Sequence, residues 1–189
     1  LQSGQTVFVN GGSGGVGHVV VQMAHLAGAR VITTAGSAEK AESCCRFGAD
    51  EVILYREESV PERVAQLAPD GVDLWYETQR EPDLLANVPL LRAGGRMILM
   101  AGRDAKPALP LGNFYTRDCM LIGFAMLNAT PEAQRHAAED IARWMADGRL
   151  HAQIATTLPI DRIAEAHQLQ EDATIHKKTS LNGKIVIRI

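Results

Sequence analysis

Cysteine is scarce in this chain: Cys44, Cys45 and Cys119 are the only three in 189 residues. An odd count cannot close a disulfide framework, and an adjacent pair with a distant third lacks the paired spacing of a zinc site. The thiols therefore read as reduced and buried, and the compartment as cytoplasmic. No uninterrupted apolar run is long enough to span a bilayer, and no basic start followed by an apolar stretch marks a leader. A basic run is missing as well. With 19 basic against 22 acidic side chains and a net charge of -3, the balance argues against nucleic acid or a membrane as the partner and leaves a small ligand. The six histidines, His18, His25, His136, His151, His167 and His176, are scattered without an i, i+4 pair. No carboxylate pair is set up for acid-base work either, so neither a metal site nor a catalytic residue is predicted. A methionine start is also lacking: "LQSGQTVFV" at Leu1 reads as the interior of a longer protein.

The residues present are 46% hydrophobic, sufficient for one domain or slightly more. Short β-branched runs alternate with runs of helical period, the pattern of βαβ units feeding a parallel sheet. Strands are predicted at Thr6–Asn10, Arg30–Ala35, Glu51–Leu54, Asp73–Glu77, Gly95–Met100 and Met120–Leu127. Helices are predicted at Gly15–Ala27, Ala38–Phe47, Val60–Leu67 and Asp83–Leu91, and from Thr130-Pro131 to about Asp147, where a capping hydroxyl and a first-position proline mark the start. The fold class is α/β, a doubly wound parallel sheet of about six strands with flanking helices. Past residue 150 a strand (Ile154–Leu158), a helix (Asp161–Gln170) and a strand (Lys184–Ile189) form a β-α-β remnant outside that repeat. The chain thus divides into 1–150 and 151–189.

Gly12-Ser13-Gly14-Gly15-Val16-Gly17 matches G-x-G-x-x-G between a predicted strand and a predicted helix, the context in which that pattern binds a dinucleotide. The first glycine allows a tight turn, the second lets the main chain approach a pyrophosphate, and the third lets helix and strand pack closely. Free N–H groups of the helix's first turn then face the anion. The second strand of such a Rossmann unit commonly ends in an acidic residue that holds the ribose hydroxyls of NAD. Here that place is Ala35, followed by Gly36 and Ser37. With no carboxylate to repel a 2'-phosphate, and with Ser37 and Lys40 one turn apart, the pocket favours NADP(H). Tyr55 and Arg56, just past the third strand, stand where they could close it. Plainer roles compete: Ser37 as a helix cap, Lys40 as a solvated charge, Tyr55 as an ordinary half-buried aromatic.

"GQTVFVNGGSGGVGHVVVQMAHLAGARVITTAGSAEKAESCCRFGADEVI" resembles the nucleotide-binding domain of zinc-free medium-chain dehydrogenases/reductases. The later phrases "LLRAGGRMILMAGR", "CMLIGFAML" and "PIDRIAEAHQLQ…NGKIVI" are similar to the quinone oxidoreductases related to zeta-crystallin. The resemblance implies a preceding GroES-like barrel, absent from this chain, to which the C-terminal remnant returns. It implies that Ser13, Gly14, Gly15, Val16 and Gly17 line the pyrophosphate, and that Gly36, Ser37, Lys40 and Tyr55 surround the adenosine phosphate. Met100, Ala101, Gly102 and Arg103, with Phe124, Ala125 and Met126, then lie along the nicotinamide. The "YETQREPD" stretch, Tyr76–Asp83, departs from the small glycine-containing loop that many members carry, which leaves Glu81 a doubtful contact. The implied activity is hydride transfer from NADPH to a quinone or enone, without zinc. An enoyl-thioester reductase and a non-catalytic, even RNA-binding, NADPH module are the alternatives. A homodimer is expected through the edge of Met120–Leu127, where an apolar strand at the end of an open sheet leaves unpaired N–H and C=O groups.

Overall fold

The computed structural model describes residues 1–189. Six strands form one parallel sheet: β1 (Thr6–Val9), β2 (Arg30–Ala35), β3 (Glu51–Leu54), β4 (Val72–Glu77), β5 (Leu91–Leu99) and β6 (Met120–Gly123). Their order, β3-β2-β1-β4-β5-β6, is that of the doubly wound dinucleotide fold, in which the chain reverses direction across the sheet between β1 and β4. Side chains alternate across a strand, so β1 feeds both faces. Val7 and Val9 pack with Val31, Val21, Ala24 and Cys44 beneath helices α1 (Gly17–Leu26) and α2 (Ala38–Arg46). Phe8 points the other way, to Ile32, Val64, Val88, Met97 and Trp75, under α3 (Val60–Leu67) and the short α4 (Leu84–Asn87). Trp75 is wholly buried, with its ring centroid 3.9 Å from that of Phe8.

Three predicted elements differ. The helix expected over Asp83–Leu91 is helical only from Leu84 to Asn87 and tightens to a 3-10 turn at Val88–Leu90, where Pro89 has no N–H for the α pattern. The strand expected from Gly95 begins at Leu91 and shifts register between Val72 and Leu74 on its neighbour, with Gly94 at φ +71°. The strand expected over Met120–Leu127 stops at Gly123. Phe124 N–H still donates to Leu99 O at 3.0 Å, but β5 ends there, and the chain folds into a 3-10 turn at Met126–Asn128. A five-residue helix, α5 (Leu111–Tyr115), occupies what reads as loop.

α6 (Pro131–Ala146) begins as expected, with Thr130 Oγ accepting from Ala133 N at 3.2 Å. None of its residues is buried. Beyond it, the Gln22 side chain of α1 accepts from His151 N (2.8 Å) and donates to His151 O (2.9 Å), tying the chain to the main sheet. β7 (Ile154–Pro159), α7 (Ile163–Thr174) and β8 (Lys184–Arg188) complete a separate two-stranded parallel sheet with its crossover helix. No helix is long and apolar enough to cross a membrane.

Candidate dinucleotide site

The chain turns as soon as β1 ends. Gly11 adopts φ +77°, a left-handed conformation that favours glycine, and donates to Thr34 Oγ1 at 2.8 Å. Gly12 N–H donates to Thr34 O at 3.1 Å. A Cβ on Gly12 would lie 2.2 Å from Thr33 Oγ1, and one on Gly17 would lie 2.1 Å from Gly11 O. The tight turn therefore falls on Gly11 rather than on Gly12, as the motif suggested, while Gly12 and Gly17 are required by close packing. Gly11 O accepts from Gly14 N at 2.9 Å, and Gly14 O accepts from His18 N (3.2 Å) and His18 Nδ1 (2.9 Å). A carbonyl only accepts, so Nδ1 carries the imidazole proton; Nε2 is buried without a partner. With these carbonyls turned inward, the N–H groups of Ser13, Gly15 and Val16 carry no protein hydrogen bond at the N-terminus of α1. Free N–H groups clustered at a helix N-terminus are suited to receive an anion.

Two clefts lie over the carboxyl ends of the strands, the first of them beside this loop. The first, of about 990 Å³, lies at β1, β2 and β3 and is lined by Ser13, Gly14, Gly15, Gly36, Ser37, Lys40, Tyr55 and Arg56. Its far wall is the segment between α7 and β8, with Lys177 and Lys178, and the start of β8, with Lys184. Ser37 Oγ accepts from Lys40 N at 3.4 Å, so it caps α2 while its residue also borders the cleft. The second cleft, of about 860 Å³, lies at β4, β5 and β6 and is lined by Arg80, Glu81, Leu99–Ala105, Phe124 and Ala125. Glu81 thus borders this cleft, whereas Met126 turns off into the 3-10 segment and does not. Val16 is exposed beside the glycine loop, and Gly17 is buried beneath it.

A buried network joins the two halves. Glu77, at the end of β4 and 1% exposed, accepts from Asn10 Nδ2 (3.0 Å) and Gln79 N (2.8 Å) at Oε1. Its Oε2 accepts from Trp75 Nε1 (3.0 Å) and Asn87 Nδ2 (3.5 Å). Asn10 in turn accepts from Thr34 Oγ1 at 3.1 Å, and Thr78 Oγ1 donates to Asn10 O at 2.6 Å. Every partner of the carboxylate is a donor, which suits its ionised form. Nearby, burial raises the Tyr76 phenol. Burial likewise pushes the Cys44 thiol up to about 12, helped by Cys45 and opposed by Lys40, leaving it an inert core group. Sequence reasoning missed Glu77, Asn10 and Asn87, which carry no motif, and the three C-terminal lysines; the pair in "HKK" was the one available signal. No group of three or more His, Cys, Asp or Glu side chains is placed to hold a metal ion.

A family model described as zinc-binding dehydrogenase matches residues 15–146. The quinone oxidoreductase of Homo sapiens is 28% identical over 169 residues, covering 89% of this chain and 51% of that protein. One of the phenolphthiocerol/phthiocerol polyketide synthase proteins of Mycobacterium tuberculosis is 30% identical over 198 residues, covering all of this chain and 9% of that protein. Among solved structures, an NAD-dependent alcohol dehydrogenase superposes with a TM-score of 0.80 at 27% identity, over 100% of this chain and 52% of the other. The chain spans about half the length of the quinone oxidoreductases it matches.

Proposed function

Because this chain belongs to the zinc-binding dehydrogenase family, we propose that it forms the NADP(H)-binding portion of an oxidoreductase that passes a hydride to a quinone. The observation that carries this reading is the first cleft: free backbone N–H groups at one end, and Lys40 and Arg56 at the other, where Ala35 replaces the ribose-holding carboxylate. When bound, the nicotinamide supplies the hydride. The chain's own part is to bind and orient: Ser13, Gly15 and Val16 donate to the diphosphate, and Lys40, Arg56 and the Tyr55 phenol meet the 2'-phosphate. Met100–Arg103, Phe124 and Ala125 line the second cleft as a wall for the nicotinamide ring, limiting water on that side. The family's description implies zinc, but the residues here offer it no ligand set. Residues 1–150 are assigned to the nucleotide unit and 151–189 to a segment that packs with an amino-terminal portion.

NADPH is expected to bind at least about tenfold more tightly than NADH, and Lys40→Ala to remove most of that preference, as for a charge-assisted contact of about 1.5–3 kcal/mol. Fluorescence titration with both nucleotides checks it; equal affinities in the parent chain would sink the NADP(H) assignment. The similarity of the whole chain to part of a polyketide synthase favours a second reading, reduction of an enoyl thioester. Nucleotide oxidation by the protein joined to its amino-terminal portion, with a quinone and with an enoyl thioester in parallel, separates the two. A homodimer pairs through the open edge of β6, where Met120 and Ile122 are exposed, with Phe124 and Met126 exposed just beyond the strand. Sedimentation of the concentrated chain as a monomer would count against it.

A further inference from the structure

Five cations line the first cleft: Lys40, Arg56, Lys177, Lys178 and Lys184. Lys178 is engaged by Asp172 at 3.3 Å, while the other four make no salt bridge. Glu39 is the one acidic residue on the lining, and its Oε1 accepts from Asn182 Nδ2 at 3.3 Å. Asn182 Nδ2 also donates to Ser43 Oγ at 3.1 Å, so the strap of residues 175–183 is fastened along α2. From the far end of that strap Lys184 reaches back over the glycine loop. A Cβ on Gly15 would lie 2.9 Å from Lys184 Nζ, which puts the ammonium beside Gly15, whose N–H carries no protein hydrogen bond.

We infer that Lys184 is a ligand of the cofactor's diphosphate and that the 175–183 strap before it is a wall of the nucleotide site. The inference rests on the NADP(H) reading of the cleft. Charge supports it: a diphosphate carries two negative charges and a 2'-phosphate about 1.5–2 more, which four unpaired cations balance. Position separates the roles. Lys184 adjoins the glycine loop, where any dinucleotide places its diphosphate, and Lys40 adjoins Ser37 beyond β2, where the adenosine phosphate falls. The β8 backbone is held independently of this ammonium, through Lys184 N donating to Gln153 O at 2.7 Å.

Lys184→Met keeps the aliphatic stem and removes the charge. It is expected to weaken NADPH and NADH alike by about ten- to a hundredfold, whereas Lys184→Arg keeps most of the affinity. A second readout is trypsin cleavage after Lys177 and Lys178: NADPH should slow it in the parent and fail to do so in Lys184→Met at the same nucleotide concentration. If the parent binds and is protected and Lys184→Met behaves identically, the inference is overturned. A loss confined to NADPH would also overturn it, by moving Lys184 to the 2'-phosphate. A parent chain that binds neither nucleotide would instead bring down the reading of the cleft itself.

Discussion

Glu77→Leu is expected to destabilise the fold by about 4 kcal/mol or more, a large share of the roughly 5–15 kcal/mol that holds a domain together. The carboxylate is the common acceptor for Asn10 Nδ2, Trp75 Nε1, Gln79 N and Asn87 Nδ2, all within 3.5 Å. Leucine fills similar space but accepts nothing, and each buried donor left unpaired costs about 1–3 kcal/mol. No cation pairs with Glu77, so no orphaned opposite charge complicates the comparison. Glu77→Gln should lose less, because one oxygen survives. Urea unfolding of the three chains measures the differences. A loss below about 1 kcal/mol in Glu77→Leu would mean that the donors find other partners.

The second large effect falls on binding. Gly17→Val would set a branched side chain against Gly11 O, where even a bare Cβ lies at 2.1 Å, with Gly11 C at 2.8 Å. Those neighbours are backbone and cannot rotate away, so the loop must shift and its N–H groups lose their common focus. Affinity for NADPH is expected to fall by about a hundredfold or more, equivalent to about 2.7 kcal/mol. Gly112→Ala is the control, since a Cβ there meets nothing within 4 Å. Titration of both variants, with far-UV circular dichroism to establish that each is folded, decides it. Undiminished binding by Gly17→Val would show that the loop is not the anion site.

Much of this was legible in the chain because the periodicities are strong and local. The runs Thr6–Val9, Arg30–Ala35 and Glu51–Leu54 sit between glycine stops and helical patterns, and the resemblance to the medium-chain family holds along almost the whole length. What could not be read depends on partners distant in sequence. Phe124–Leu127 is apolar enough for a strand, but strand length is set by where β5 stops offering ladder groups, and that is Leu99. Glu77 looks like the polar end of a strand, and only the fold brings Asn10, Asn87 and the Trp75 indole around it. Lys184 and Gly15 stand at opposite ends of the chain, and no spacing rule connects a lysine at the start of β8 to a loop after β1.

The Asn10–Glu77 bond crosses the line on which the sheet reverses, with the first cleft above β1, β2 and β3 and the second above β4, β5 and β6. That division makes the domain separable in an engineering sense. Loops after β4, β5 and β6 can be exchanged without altering the residues that line the first cleft, provided the graft keeps a carboxylate at position 77 to answer Asn10. A chimera that carries a neutral residue there would inherit both clefts and lose the joint between them.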